Sequence, residues 1–182
     1  MPEENGALGG EKGMPLKDGL FLGFCAVFIL VTRMALRLHL HISGHSMFFT
    51  MFFLLLARGC VKRPYAASFS GLLAGLMAMV FGLGKGGLLI PIKFILPAVA
   101  VDVVALFIPG LFQSYLLVAL TAAIASATKF AHTFIMDSLV GMERPIAVQH
   151  ALLESAAAIG FGVAGSLLIP SVIRKLKAYG VI

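Results

Sequence analysis

Apolar residues run along this chain in long blocks, broken by short polar stretches that carry most of its charge. A helix needs about 20 such residues to cross the hydrocarbon of a bilayer. The blocks predict six spans, near 19–38, 46–58, 65–83, 88–108, 111–136 and 146–170. The second is short at both ends, the pattern of a tilted or partly buried helix. The fourth holds Pro91 and Pro97, and because a proline removes a backbone donor and clashes with the preceding turn, a kink is expected there. Residues 1–18, rich in Gly, Glu and Lys and without an apolar core or cleavage site, are expected to be a flexible tail and not a signal peptide. Residues 19–170 would form the transmembrane domain and 171–182 a basic tail.

Composition sharpens this picture. Of the 182 residues, 60% are apolar and 12% charged, against about 25% charged in soluble domains. So little polar surface does not cover a globule of this size. The expected fold class is therefore all-α, an integral membrane bundle of six transmembrane helices. The net charge of +6 is spread in clusters between the blocks, which orients membrane helices and does not indicate nucleic acid. Lys12, Lys17, Arg58, Lys62, Arg63, Arg174, Lys175 and Lys177 fall on one side of the six-span scheme; Arg33, Arg37, Lys85 and Arg144 fall on the other. Positive charge favours the cytoplasmic side, so both termini are expected in the cytoplasm of a multi-pass protein. Cys25 and Cys60 lie in an apolar span and a basic loop, a spacing that suggests neither disulfide nor metal.

Small residues recur every fourth position as Ala119, Ala123, Ala127 and Ala131, as Gly71 and Gly75, and as Ala158, Gly162 and Ser166. Such faces let helix backbones approach closely in lipid. They predict packing within the bundle, or docking onto another membrane subunit.

The candidate chemistry lies in the ionisable groups inside the spans, each of which needs a partner, a wet cavity or a role. Lys93, Lys129, His132, His150 and Glu154 all fall roughly 6–12 Å below the outer surface if each residue rises about 1.5 Å. Lys129 and His132 share a face at i,i+3, and His150 and Glu154 at i,i+4. If these faces converge they floor a ligand pocket, roofed by outer loops that contribute Lys85, Arg144 and the stretch HLHISGHS. The bland alternatives are lysines snorkelling to headgroups and a simple His150–Glu154 pair. His39 and His41 suit the headgroup boundary, while His45, after Gly44, has the stronger functional case. Asp102, deeper and facing away from Lys93, is expected to pair with a basic group near the inner surface. No nucleophile elbow, HExxH, CxxC or phosphate loop is present, and GLGKGG at 82–87 lacks the P-loop spacing. An intramembrane enzyme would have to enlist His150, Glu154 and Asp102 without any motif, so the chain is not expected to be an enzyme, and no cofactor is expected.

Six short helices, termini on one side, small-residue faces and a polar cluster near the outer surface resemble the substrate-binding S components of energy-coupling factor (ECF) transporters. Locally, HISGHSMFF through FGLGKGGLLIPIKF is similar to the cobalt and nickel branch of that family, CbiM/NikM. The resemblance implies a bacterial or archaeal cytoplasmic membrane, a transmembrane coupling subunit, and partner ATPase subunits that carry out all ATP hydrolysis. In the metal branch His45 would be a ligand. Two lysines beside the pocket repel a divalent cation and suit a carboxylate or phosphate, so a small anionic micronutrient is the leading substrate class. Divalent metal uptake is one alternative. A non-transporting accessory subunit of a larger membrane complex is the other.

Overall fold

The computed structural model describes residues 15–39, 44–83, 87–108 and 110–180. Among them all regular structure is helical: α1 (Leu16–His39), α2 (Ser46–Cys60), α3 (Ala66–Val80), α4 (Ile92–Phe107), α5 (Tyr115–Leu139), α6 (Arg144–Ser166) and α7 (Ile169–Ala178). Single 3-10 turns, Gly87–Leu89 and Leu111–Gln113, precede α4 and α5. Each of the six predicted spans holds a helix.

Three segments are long and apolar enough to cross a membrane: Leu16–Ala35, Tyr115–Leu139 and Arg144–Ala178. The other helices are shorter than the six-span pattern implies. At 15 residues, α2 and α3 each rise about 22 Å, short of a hydrocarbon core of about 30 Å. Large apolar side chains nonetheless face outward in number, around a core that is mainly apolar and holds some polar groups. Leu20, Phe24, Phe28, Val31, Leu116, Leu120 and Ile124 are exposed, while Thr50, Ser70, Asp102, Thr121, Ser126 and Lys129 are buried.

Helix α2 lies at the centre, with Met51, Leu54 and Leu55 wholly buried and neighbours in α1, α3, α4 and α6. Helices α5 and α6 form the most extensive pair. Their hairpin follows from local sequence. Gly141 adopts φ +86°, which an L side chain resists. The Met142 N–H then reaches back to the Asp137 carbonyl at 3.0 Å, closing a Schellman motif. Pro145 at the start of α6 fits where helical N–H groups lack partners.

Two of the three expected small-residue faces pack as expected. Gly71 and Gly75 bring α3 against Phe94, Ala98 and Pro91 of α4. Ala158, Gly162 and Ser166 are buried, and Gly162 meets Ser126 and Met51. The third face is different: Ala127 and Ala131 are exposed and Ala119 and Ala123 half-buried. The packed face of α5 is instead Val118, Thr121, Ala122, Ala125, Ser126, Lys129 and Thr133. Polar Ser126 and Lys129 decide this, because facing lipid would cost more than burying four methyl groups would return.

Two further expectations change. Pro91 stands at the N-cap of α4, and only Pro97 is inside the helix, where it removes the N–H that would bond the Lys93 carbonyl. The segment expected as a basic tail, 171–182, is helical through Ala178. Its Ile173 is buried, against Gly59 of α2.

Candidate functional site

The α5–α6 hairpin aligns its two helices in opposite directions, so residues equally far from the turn face each other. Lys129 is ten residues before the end of α5 and Glu154 ten after the start of α6. Their charged groups meet at 2.9 Å, with the lysine 9% and the carboxylate 25% exposed. Because α5 continues to Leu139, the pair lies about 15 Å from the hairpin end, deeper than the spans predicted.

His132, one turn along α5 on the same face, is half-buried. The charged side chains that act on it are Lys93 of α4, Arg33 of α1, Lys129 and Glu154. Three helices thus bring four of the predicted residues, Lys93, Lys129, His132 and Glu154, into one neighbourhood. Helix α1 adds Arg33, which sequence reasoning used only for topology. The Arg33 guanidinium stacks over the Phe94 ring at 4.7 Å to its centroid, linking α1 to α4 beside Lys93. Arg33 lies six residues before the end of α1, so the depth argument applied to the other helices also identifies it.

His150 does not join this cluster through Glu154. Its Nδ1 lies 2.8 Å from the Asp137 carboxylate, a second α5–α6 bridge nearer the turn. Arg144 is exposed at the start of α6, ten residues and about 15 Å along the helix from Glu154. Lys85, His41 and the side chain of His39 lie outside the described residues. His45 is half-buried at the N-cap of α2. Gly44 before it, at φ +92°, packs against Ala157 and Ala158, one turn farther from the hairpin than Glu154. The short α2 starts part-way down the bundle, and this lowers the histidine. Among the described residues no three His, Cys, Asp or Glu side chains gather as a metal site.

Charge balance sets the chemistry. The described carboxylates are Asp18, Asp102, Asp137, Glu143 and Glu154. Asp137 is with His150, Glu143 is exposed in the turn, and Asp18 lies at the first turn of α1, remote from Arg33. Asp102 accepts hydrogen bonds from the Ala67 N–H at 3.2 Å, the Ser68 N–H at 2.7 Å and the Ser68 hydroxyl at 2.6 Å. It also faces Arg58 Nε at 3.2 Å. Asp102 is therefore the structural pair expected of it, and it caps the first turn of α3 from another helix. Around His132, Arg33, Lys93 and Lys129 set three positive charges against the one carboxylate of Glu154.

Beside His132 a cleft of about 30 Å³ is lined by Leu89, Ile92, Ile135 and Met136, room for about one water. Ser126, a turn from Lys129, has a buried hydroxyl without a hydrogen-bond partner among the described residues. Sequence reading passed over this serine, although a lone hydroxyl one turn from a buried lysine is a signal.

The class these features define is an all-helical protein with three helices able to cross a membrane and a cation-rich cluster between helices. No family model, curated protein or solved structure matches the chain, so none of them supports the resemblance to S components.

Proposed function

We propose that this is a membrane-embedded subunit that captures a small anionic molecule for uptake, in the manner of a transporter's substrate-binding component. The observation that supports it is the excess of fixed positive charge around His132: Arg33, Lys93 and Lys129 against Glu154. Lys129 is buried and Arg33 and Lys93 are half-buried; like charges gathered there repel, and an anion of one or two charges relieves that repulsion. Glu154 acts as a placeholder, holding Lys129 until a ligand carboxylate or phosphate takes over the contact. His132 supplies a hydrogen bond to the same group. A divalent cation would meet the wrong sign of field here. All six longer helices enter the bilayer in this reading, with the end bearing Lys17, Lys62, Arg63 and α7 in the cytoplasm. A coupling subunit and ATPase subunits would supply the energy.

The test is a thermal-stability screen of the purified protein in lipid nanodiscs against small carboxylates, phosphate esters, cobalt and nickel. An anion should raise the melting temperature, and Arg33→Gln or Lys93→Gln should abolish that rise in a folded protein. A rise with nickel or cobalt alone, or an anion response unchanged in both variants, would end the proposal.

A further inference from the structure

At the end of the bundle opposite the cation cluster, α7 lies across the ends of other helices. Its Ser171 hydroxyl is 2.9 Å from the Tyr115 hydroxyl at the start of α5, and Arg174 donates to the same oxygen at 2.7 Å. Ile173 packs against Gly59 at the end of α2. Leu176 then faces the first turns of α1 across a cavity. Ten residues, about 15 Å of helix, thus strap α5, α2 and α1 together. Ile169, Ile173 and Leu176 share one side of α7. The first two are buried, but Leu176 is only half-buried because the space beneath it is not filled by the bundle.

That space measures about 330 Å³, at the small end of the range for ligand sites. Lys17 and Asp18 stand at its rim, and Phe21, Phe24, Val61 and the Cys60 thiol wall it with Leu176. Phe24 lies two turns of α1 beyond Lys17, which makes the cavity about 10 Å deep. An extended chain advances about 1.2 Å per bond, so a chain of about eight carbons fits. The lining is graded: charged at the surface, aromatic and aliphatic below. A polar solute would lose its hydration against Phe21, Phe24 and Val61 without gaining partners, whereas a short hydrocarbon chain gains from burial there.

The rim sets the charge of the head. Lys62 follows the lining residue Val61, and Lys175 and Lys177 stand on either side of the lining residue Leu176. With Lys17 they place four exposed lysines around the mouth against the single carboxylate of Asp18. At a membrane surface each such lysine favours an anionic group by about fivefold in affinity.

We propose that the cavity between α1, α2 and α7 binds a single-chain anionic amphiphile of the fatty-acid class, its carboxylate among the rim lysines and its chain against Phe21, Phe24 and Leu176. The site is separate from the anion cluster and does not depend on the function assigned there.

Cys60 reports directly on occupancy of this cavity. The chain has two cysteines, and the other, Cys25, is buried. The full chain in nanodiscs of zwitterionic lipid is treated with N-ethylmaleimide, and the rate of single alkylation is read by intact mass spectrometry. Octanoate should slow alkylation about tenfold or more, while acetate, which lacks the chain, and octylammonium, which has the opposite charge, should leave the rate nearly unchanged. Replacing Lys62, Lys175 and Lys177 together by glutamine should weaken the octanoate effect by more than about tenfold. Leu176→Glu sets a carboxylate in the wall and should reverse the order, so that octylammonium protects and octanoate does not; unfolding cannot mimic this, because it exposes Cys60 whichever amphiphile is present. Equal protection by octanoate and octylammonium, no protection by octanoate, a Cys60 that is unreactive in the ligand-free chain, or an order unchanged in Leu176→Glu overturns the proposal.

Discussion

Replacing Glu154 by alanine removes the carboxylate that faces Lys129, and the structure allows the consequence to be worked. At 2.9 Å the gross attraction is about 6 kcal/mol at an effective dielectric of 20. Desolvation offsets part of that, and loss of one member of a buried pair costs about 3–5 kcal/mol. Because Glu154 is 25% exposed, the lower part of that range, about 3 kcal/mol, applies. For a chain of this size each kcal/mol moves the midpoint by about 2–4 °C, so a fall of about 6–12 °C is expected. The cost is not symmetric. Without Glu154 the cluster keeps Arg33, Lys93 and Lys129 and loses its carboxylate, whereas without Lys129 the carboxylate keeps Arg33 and Lys93 nearby. Lys129→Met should therefore cost less than Glu154→Ala, and Lys129→Met with Glu154→Leu should recover most of the loss, as apolar replacements of buried pairs do. Phosphate or sulfate should raise the midpoint of Glu154→Ala more than that of the parent protein. The assay is unfolding in detergent micelles followed by circular dichroism, across a titration of each salt at constant ionic strength. Equal losses in the two single variants, adding in the double and untouched by anions, would refute the reasoning.

Two further outcomes follow from other parts of the bundle. Asp102→Ala should cost about 3–5 kcal/mol, because it strips Arg58 of its partner and the first turn of α3 of its cap; hydrogen exchange should rise selectively at Ala67 and Ser68. On α6, Gly165→Ala would drive a methyl into the Phe48 carbonyl and should cost about 1–3 kcal/mol. Gly160→Ala, five residues earlier and facing open space, should be neutral or stabilising by up to about 1 kcal/mol; the two are compared by thermal unfolding of matched preparations.

Much of the architecture was legible from periodicity and charge. Blocks of apolar residues placed a helix in every predicted span, and the cost of intramembrane charge singled out Lys93, Lys129, His132 and Glu154, which the fold brings together. The errors have physical sources. A four-residue repeat occurs on more than one face of α5, so alanine spacing alone did not choose between Ala127 and Ala125; the buried Ser126 and Lys129 do. The i,i+4 spacing of His150 and Glu154 shows that they can meet, not that a stronger partner is absent, and each has one across the hairpin. Arg33 passed as a loop charge because it sits near a span end. In sequence α7 looks like a tail, because its basic residues outweigh its three buried apolar ones until α2 is there to receive them. The level of His45 depends on where the α1–α2 connection packs, which no local pattern encodes.

The carboxylate of Asp102 has a bearing on how the chain is made. The amides of Ala67 and Ser68 that it caps precede it by 35 and 34 residues, so during synthesis the first turn of α3 waits for α4. At about 5–20 residues per second that interval lasts on the order of seconds, with Arg58 and the start of α3 exposed to whatever surrounds the nascent chain. The cap on the third helix and the partner of Arg58 thus arrive only with the fourth, and a ribosome paused between residues 68 and 102 holds a chain that lacks both.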